Sequence, residues 1–369
     1  MLMNRFIRFQ VLTVAAVLLY GCKADDAAQG DYPSVQPAAI MFSVTDGGGH
    51  TRTAPNTLTL DGSGTNEQSL KTSGFAVFAS HTGFHPYVSS TTACNLMWNQ
   101  KVTYDDTAGA WIYNPIVYWP NSDEELSEYV SFFAYAPYSD GSTDAASACI
   151  VDFSLPGETG DPWLLYQLGG TMYADGADGW KASQVDLLYD FQKDQLRPYP
   201  PSASKVNFSF KHALACVGDR ITVTCSDALK AQLKALYAGS NVTFTLNKLR
   251  LDYELTPKGK LLLNGTSQPN WKAVDSGDPL VHRFLVLQPD HVLATATSSS
   301  NCTLTDYIAT NQGVFYIPVE VGSNIQKLTA TVYYTLSTGD EGAIATTINL
   351  SSIADYGRGS DLNLILSLP

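Results

Sequence analysis

The sequence predicts an all-β fold of mainly antiparallel strands, arranged as two β-sandwich domains with one minor helix. Charged residues make up only 15% of the chain, whereas aromatic residues make up 11%. Aromatic and β-branched side chains fit the pleated, half-buried surface of a sheet, so this composition favours strands. Apolar and alternating runs recur along the chain and are separated by turn signals such as Pro156-Gly157. A length of 369 residues exceeds one typical core, which favours two domains.

The first 21 residues have the pattern of an export signal. Two arginines, Arg5 and Arg8, precede an apolar stretch from Val11 to Tyr20. This stretch is shorter than the roughly 20 apolar residues that a membrane-spanning helix needs, but it suits a signal peptide. It ends in Leu19-Tyr20-Gly21-Cys22, which resembles a bacterial lipobox. We therefore predict that Cys22 is acylated after cleavage, since several acyl chains anchor a protein stably. The alternative is an ordinary signal peptide with an incidental cysteine.

The remaining chain is acidic and begins with a polar tether at residues 22–37. The whole chain carries a net charge of −13, and removing residues 1–21 takes away two arginines and no acidic residue. Such a chain is repelled by phosphate backbones, so we expect no nucleic-acid partner.

The predicted N-terminal sandwich spans residues 38–198. Its first strand, Ala38 to Val44, is followed by a polar, glycine-rich loop that contains Arg52. A boundary follows at Pro198, Pro200 and Pro201, because prolines remove backbone donors and stiffen the chain. Further strands are predicted at Gly74–Ala79, Leu96–Tyr104, Trp111–Tyr118, Val130–Tyr135 and Ala148–Leu155.

The predicted C-terminal sandwich spans residues 199–369. One helix is expected, with Ser226 or Asp227 as its cap, leucines 229, 233 and 236 on one face, and Gly239 as its stop. The last strand places Leu362, Leu364, Leu366 and Leu368 on one face, and such a strand either pairs or leaves an exposed edge. Other strands are predicted at Lys205–His212, Arg220–Cys225, Val242–Tyr253, Lys260–Leu263, Phe284–Leu287, Phe315–Val319, Leu328–Leu336 and Ala343–Leu350.

The sequence contains no pattern typical of a metal, cofactor or catalytic site. Five cysteines besides Cys22 form an odd set without a CxxC pair, which favours small buried hydrophobic roles, with a Cys216–Cys225 bridge across a hairpin as an open alternative. His81 and His85 are four apart, but Gly83 and Pro86 favour a loop over a metal-binding helix. No GxSxG motif or phosphate-binding glycine loop occurs, so we expect no enzyme. A hydrolase would need two convergent carboxylates in a cleft.

Three segments, taken in order, resemble the fimbrillin superfamily of lipoprotein-derived type V pilins. The first joins the lipobox, the first strand and Thr51-Arg52 to Phe75–Ala79. The second is the aromatic stretch from Trp111 through Phe132-Phe133 to Tyr138, and the third runs from Asp186 to Ala215. The resemblance covers residues 22 to about 253.

The resemblance implies transthyretin-like sandwiches, surface lipoprotein export and assembly into fimbriae that support adhesion and biofilm formation. Cleavage by a trypsin-like protease in the loop after the first strand would occur at Arg52 and release that strand with the lipid. The vacated groove would take a C-terminal strand of the next subunit, with the four leucines from Leu362 to Leu368 as the candidate donor. Such strand addition gives affinity through main-chain hydrogen bonds, and head-to-tail repetition builds a filament.

The resemblance also sets the expected partners and location. Partners would be other pilin subunits, the outer membrane through the lipid anchor, and a ligand on a host or bacterial surface. Acidic residues Asp25 and Asp26 after the lipobox resemble a surface-export signal. Two simpler alternatives remain open: Arg52 is an ordinary solvated arginine, and the last strand completes its own sheet.

An alternative function is a monomeric glycan-binding surface lipoprotein. Four aromatic residues fall in a Gly- and Asp-rich stretch, namely Trp163, Tyr166, Tyr173 and Trp180. They either form a platform on which sugars stack or pack a long loop onto its sandwich.

Overall fold

The structure, a computed structural model, shows a β-rich chain whose strands cover most of the described sequence. The described residues are 37–45, 58–62, 68–120, 128–141, 149–168, 185–197, 205–256, 258–263, 270–272, 274, 280–310, 315–317, 326–350 and 361–369. The predicted signal peptide, Cys22, most of the tether and Arg52 lie outside them. The all-β prediction with a minor helix is confirmed.

Ten strands and one short helix precede residue 198. They are β1 (Phe42–Thr45), β2 (Leu58–Thr59), β3 (Gln68–Ser69), α1 (Leu70–Ser73), β4 (Phe75–Gly83), β5 (Met97–Asp105), β6 (Ala110–Ile112), β7 (Tyr129–Ala136), β8 (Ile150–Phe153), β9 (Trp163–Gln167) and β10 (Leu188–Gln195).

Fourteen strands and one helix are described after that residue. They are β11 (Val206–Ser209), β12 (Lys211–His212), β13 (Ala215–Cys225), α2 (Asp227–Ala235), β14 (Val242–Leu255), β15 (Lys258–Leu262), β16 (Asn270–Lys272), β17 (Val281–Leu287), β18 (His291–Ala296), β19 (Cys302–Leu304), β20 (Tyr307–Thr310), β21 (Phe315–Ile317), β22 (Lys327–Leu336), β23 (Glu341–Asn349) and β24 (Asp361–Leu368).

Two larger sheets organise the fold. An antiparallel sheet of six strands has the order β12-β10-β7-β4-β5-β6, and the parallel pair β1-β11 lies against its aromatic core. A second six-stranded sheet has the order β19-β18-β14-β22-β23, with β17 also paired to β14. Strand β13, with β20 and β21 along one edge and β24 along the other, packs against this second sheet through a shared apolar cluster.

A smaller sheet draws strands from both sides of the predicted boundary. Its order is β16-β15-β9-β8, so two strands from before residue 198 share a sheet with two from after it, joined by the pairing of β9 with β15. Strands β11 and β12 also follow the proline stretch, yet they pair with β1 and β10. The division at residues 198 and 199 stays a prediction, and strand pairing crosses it at these places.

The predicted helix forms with Ser226 as its cap. The Ser226 hydroxyl accepts a hydrogen bond from the Leu229 N–H at 3.1 Å, which satisfies one of the unpaired donors of the first turn. Leu229 and Leu233 are buried, but Leu236 is 46% exposed. The helix ends at Ala235 with Leu236 as its C-cap. The prediction that Leu236 lies on the buried face is therefore wrong.

The suggested bridge between Cys216 and Cys225 is wrong. Both residues lie on the single strand β13 rather than across a hairpin. Nine residues at about 3.3 Å each place them roughly 30 Å apart, whereas a disulfide needs Cα atoms within about 7 Å. Burial raises the pKa of the Cys94 and Cys225 thiols to about 11, so both stay protonated near neutral pH. They behave as the small buried hydrophobic residues that the sequence predicts.

The predicted strand Trp111–Tyr118 is shorter than expected. The ladder with β5 ends at Ile112, and Pro115, which has no N–H to donate, follows shortly after. The chain then returns beside the first strand, where Ala39 and Tyr118 form an antiparallel bridge.

Candidate functional site

The first strand is inserted into the core rather than laid on the surface. Ala38, Ile40 and Phe42 are all buried, and Val44 packs partly buried against the same cluster. These residues are spaced by two, so they share one face of the extended chain. The intervening positions 39, 41 and 43 are only partly buried. The alternation seen in the sequence therefore places one face of the segment 38–44 in the core.

Main-chain hydrogen bonds hold this segment on both sides. Along one edge β1 runs parallel to β11, with Phe42 opposite Val206 and Thr45 opposite Ser209. Along the other edge the Ile40 N–H donates to the Val117 carbonyl at 2.9 Å. The segment 38–45 therefore has hydrogen-bonded neighbours on both edges, residues 117–119 beside its first half and β11 beside its second half.

Phe42 lies at the centre of an aromatic cluster. Its ring centroid is 5.7 Å from that of Phe208, in a stacked arrangement. Three further rings lie around it, those of Phe75 at 6.1 Å, Tyr113 at 5.4 Å and Phe132 at 6.0 Å. Such pairs add about 0.5–1.5 kcal/mol each beyond the area they bury. If β1 were removed, these rings would line an open apolar cleft.

Tyr113 ties the strand to the cleft wall by a polar contact. Its hydroxyl donates to the Ile40 carbonyl at 2.7 Å, and its ring packs on Phe42. Burial raises the pKa of this hydroxyl, so it stays a donor over the whole physiological range.

The chain is fixed again at Leu58, which follows Arg52 in the sequence. Leu58 is buried, and its N–H donates to Asp186 Oδ2 at 3.2 Å. The Asp186 carboxylate is fully buried and lies 2.8 Å from His212 Nδ1, close enough for an ion pair when the imidazole is protonated. The segment between β1 and β2 is therefore bounded by two well-packed anchors.

A second buried carboxylate supports the strand that pairs with β1. Asp190 Oδ2 accepts a hydrogen bond from the Ser209 N–H at 2.6 Å, at the end of β11. Burial raises the pKa of Asp190, although its hydrogen bonds act in the opposite direction. Asp186 and Asp190 both lie in the segment 186–215 that resembles the fimbrillin superfamily. The sequence does not predict their hydrogen-bond partners, because those partners are distant in the chain.

The candidate donor strand lies in the chain's own sheet. Strand β24 runs parallel to β13, from Cys216 opposite Asp361 to Cys225 opposite Leu368. Three of its leucines, Leu362, Leu364 and Leu368, are buried, and Leu366 is partly buried in the same core cluster. The predicted one-sided alternation is present, and Ile365 on the other face is 74% exposed.

The aromatic residues of the glycan alternative do not form a common surface where they are described. Tyr166 is buried, and its hydroxyl donates to the Val185 carbonyl at 3.0 Å. Lys260 Nζ lies 3.6 Å from the centroid of the Trp163 ring, and the Trp163 indole N–H donates to Glu158. Tyr173 and Trp180 lie outside the described residues.

The histidines considered for metal binding have other partners or surroundings. His81 Nε2 is 2.6 Å from Glu128 Oε2, and His85 lies in an exposed turn. Within the described ranges, no cluster of three or more His, Cys, Asp or Glu side chains has a geometry suited to a metal. Within the same ranges, no helix has the length and apolarity to cross a bilayer.

Comparison with known proteins identifies the family. The fimbrillin-like family model matches residues 65–250, which is half of the chain and includes β4 through β13. No curated protein matches the chain.

Several solved structures are similar over most of their length at low identity. The fimbrial anchor protein Mfa2 from Porphyromonas gingivalis shares 11% identity and a TM-score of 0.35, with 89% of this chain and 91% of that chain covered. A candidate cell adhesion protein from Bacteroides ovatus shares 12% identity and a TM-score of 0.38, with coverage of 85% and 86%. Another from Bacteroides eggerthii shares 10% identity and a TM-score of 0.39, with coverage of 92% and 89%. On the strength of the family model, this chain belongs to the fimbrillin-like family.

Proposed function

We propose that this chain is a lipid-anchored structural subunit of cell-surface fimbriae that assembles by β-strand exchange. Its family supports a fimbrial or adhesin-like surface protein. The observation that carries the proposal is the first strand, which fills an aromatic cleft and is bonded on both edges. A strand held in this way can be replaced only by another strand of matching side-chain spacing.

Processing at Arg52 would free the first strand. Hydrolysis of the Arg52–Thr53 peptide bond leaves β1 on the fragment that carries Cys22 and leaves β2 on the main body. Leu58 is buried and its N–H donates to Asp186, so we expect the chain from Leu58 onward to stay packed on the main body after cleavage. Loss of β1 exposes the side chains that surround Phe42, and the exposed apolar area drives uptake of a new strand.

The leucine strand matches the strand it would replace. Four positions, Leu362, Leu364, Leu366 and Leu368, repeat at the same spacing of two as Ala38, Ile40, Phe42 and Val44. Each strand also pairs in parallel with a longer-range partner, β24 with β13 and β1 with β11. In the part of the chain that the structure describes, β24 has β13 as its one pairing strand, so its release breaks a single ladder. This similarity supports β24 as a donor.

The test compares two forms of the protein. A form that begins at Thr53 should polymerise or take up a peptide of residues 361–369, as measured by electron microscopy and size-exclusion chromatography. The uncleaved form should remain monomeric. Two forms that behave as equally inert monomers would contradict strand exchange.

A protease-resistant variant supplies the matched control. Arg52→Gln removes the trypsin-type cleavage position, whereas Arg220→Gln changes an arginine of β13 and leaves the loop intact. Only Arg52→Gln should block assembly after protease treatment. The N-terminus of the chain taken from intact cells separates the roles: acylated Cys22 indicates an anchor, and Thr53 indicates a polymerising subunit.

A further inference from the structure

An exposed apolar stretch borders the segment with which the described body begins. Residues 110–120 contain no charged side chain, although the chain as a whole has a net charge of −13. Within this stretch, Ile116 is 49% exposed and Tyr118 is 51% exposed. Exposed apolar residues that lie together mark surfaces that bind proteins or membranes.

Ile116 and Tyr118 point away from the core. The residues that alternate with them point inward, since Trp119 is buried and Val117 packs partly buried against the aromatic core cluster. Successive side chains of an extended chain point to opposite sides. Ile116 and Tyr118 therefore share the outer side.

The first strand adds to the same outer side. Ala39 lies opposite Tyr118 in an antiparallel bridge, so their side chains are on one face. Met41 is two residues further along, and both Ala39 and Met41 are only partly buried. Residues 37–45 also contain no charged side chain. We call the four residues Ala39, Met41, Ile116 and Tyr118 the 39–118 surface.

The described body begins directly beside this surface. Pro37 is the first described residue, and the carbonyl of the next residue, Ala38, accepts a hydrogen bond from the Trp119 N–H at 2.8 Å. The predicted lipid attachment at Cys22 is 15 residues before Pro37. A chain of that length covers at most about 55 Å when fully extended. Acylation of Cys22 would therefore confine the 39–118 surface near the bilayer and raise its effective concentration there.

The chemistry of the 39–118 surface suits a zwitterionic lipid surface. Tyr118 combines an apolar ring with a polar hydroxyl, which fits the boundary between acyl chains and head groups. Ile116 and Met41 add apolar area, and membrane affinity rises with the apolar area that is buried. The sequence continues with three acidic residues at positions 123–125, which repel anionic head groups.

We propose that the 39–118 surface rests on the lipid bilayer in the uncleaved, acylated form of the protein. The inference rests on the proposed lipid anchor and goes beyond it, because it states which side of the body faces the membrane. The acyl chains supply most of the membrane affinity, and the bilayer covers Ile116 and Tyr118. A weak contact is sufficient, because the anchor already holds the body close to the bilayer.

The direct test places the photo-crosslinking residue p-benzoylphenylalanine at position 118 of the full-length acylated chain. The protein is inserted into vesicles of phosphatidylcholine and phosphatidylethanolamine, and irradiation should give a phospholipid adduct that mass spectrometry detects. The control carries the crosslinker at position 308, because Ile308 is 47% exposed and lies on β20, which pairs with β13. Its adduct yield should be about one fifth or less of the yield at position 118.

A matched pair of variants tests the apolar contact itself. In the chain labelled at position 118, Ile116→Asp should lower the lipid adduct about fivefold or more, because it places a carboxylate against the bilayer. Ile308→Asp changes an isoleucine of similar exposure on β20. It should leave the yield within about twofold, since its carboxylate stays in water.

Three results would overturn the inference: equal yields at positions 118 and 308, a crosslink from position 118 to a second protein copy instead of lipid, or an unchanged yield in Ile116→Asp. The mass of the same chain separates this inference from the proposed function. If Cys22 is acylated and position 118 gives no lipid adduct, the lipid anchor stands and this inference fails.

If Cys22 carries no lipid in cells, the proposed anchor fails. A chain that begins at Cys22 and is coupled through that thiol to a maleimide phospholipid then decides the remaining question. A lipid adduct at position 118 of the coupled chain supports the membrane affinity of the 39–118 surface, and its absence overturns it.

Discussion

At the scale of single residues, Phe42 links sequence pattern to packing. Its place in an alternating apolar run identifies it as a core residue before any contact is known. The structure adds that four rings surround it and that its pairing strand β11 is more than 150 residues away in sequence. A substitution of Phe42 therefore tests whether β1 fills the cleft.

Phe42→Ala should destabilise the uncleaved protein by about 3–5 kcal/mol, since it removes a buried ring and leaves a cavity. Urea denaturation measures the loss. Ser43→Ala is the matched control on the neighbouring position, where the hydroxyl donates to Asn207 on the surface at 3.0 Å, and it should cost about 1 kcal/mol or less. Equal losses for the two variants would contradict a buried β1.

The raised pKa of Asp190 predicts that the stability of the folded protein depends on pH. Burial raises its pKa in the folded state above the ordinary 3.8, so the folded protein holds this proton more tightly than the unfolded chain. Its contribution to stability is therefore greatest at low pH and is lost as the pH rises through the raised pKa. Asp190→Asn cannot ionise, so its stability relative to wild type should increase from about pH 4 to pH 7. Denaturation at several pH values measures this difference, and a constant difference would contradict the assignment.

At the scale of elements, the clearest sequence signals are the two strands with one apolar face. Spacing by two in Leu362 to Leu368 is sufficient to predict a strand with one buried side, and β24 has that side in the core. Other strands gave weaker signals. Strand β10 reads Leu-Tyr-Asp-Phe-Gln-Lys-Asp-Gln, and its polar second half still pairs with β7, while only Leu188 and Tyr189 at its start pair with β12.

The two faces of β24 should respond differently to truncation. Leu364 is 5% exposed and Ile365 is 74% exposed, although they are adjacent. Leu364→Ala should cost about 2–5 kcal/mol, whereas Ile365→Ala should change stability by about 0.5 kcal/mol or less. Thermal unfolding of the two variants checks this pair. A larger loss for Ile365→Ala would show that the strand is seated with its other face inward.

At the scale of the whole molecule, the proposed lipid anchor and the acidic body set location and behaviour. The fimbrillin-like family suggests a cell-surface location, and the predicted acylation of Cys22 would retain this chain there. A protein with a net charge of −13 repels its own copies at long range, so assembly requires a specific short-range contact such as strand exchange.

Cys22→Ser should abolish acylation, because serine has no thiol to accept the lipid. Metabolic labelling with radioactive palmitate should give a labelled band for wild type and none for the variant. The variant should also move from the membrane fraction to the soluble fraction, because the acyl chains supply the membrane affinity. Cys94→Ser is the control at a buried cysteine, and loss of label in that variant would contradict the assignment.

The sequence by itself determined the all-β fold class, the one-sided strands and a helix capped by Ser226 or Asp227, because these depend on the residue spacing of a short segment. The structure selected Ser226 as the cap. It did not determine that β1 pairs in parallel with β11, that Asp186 meets His212, or that β15 and β9 share a sheet across the proline stretch. Those contacts join segments tens to hundreds of residues apart. The alternation of apolar and polar residues in one strand is compatible with several pairing strands, so it does not select one. The tertiary structure decides among them, because it brings these apolar faces together in shared buried clusters.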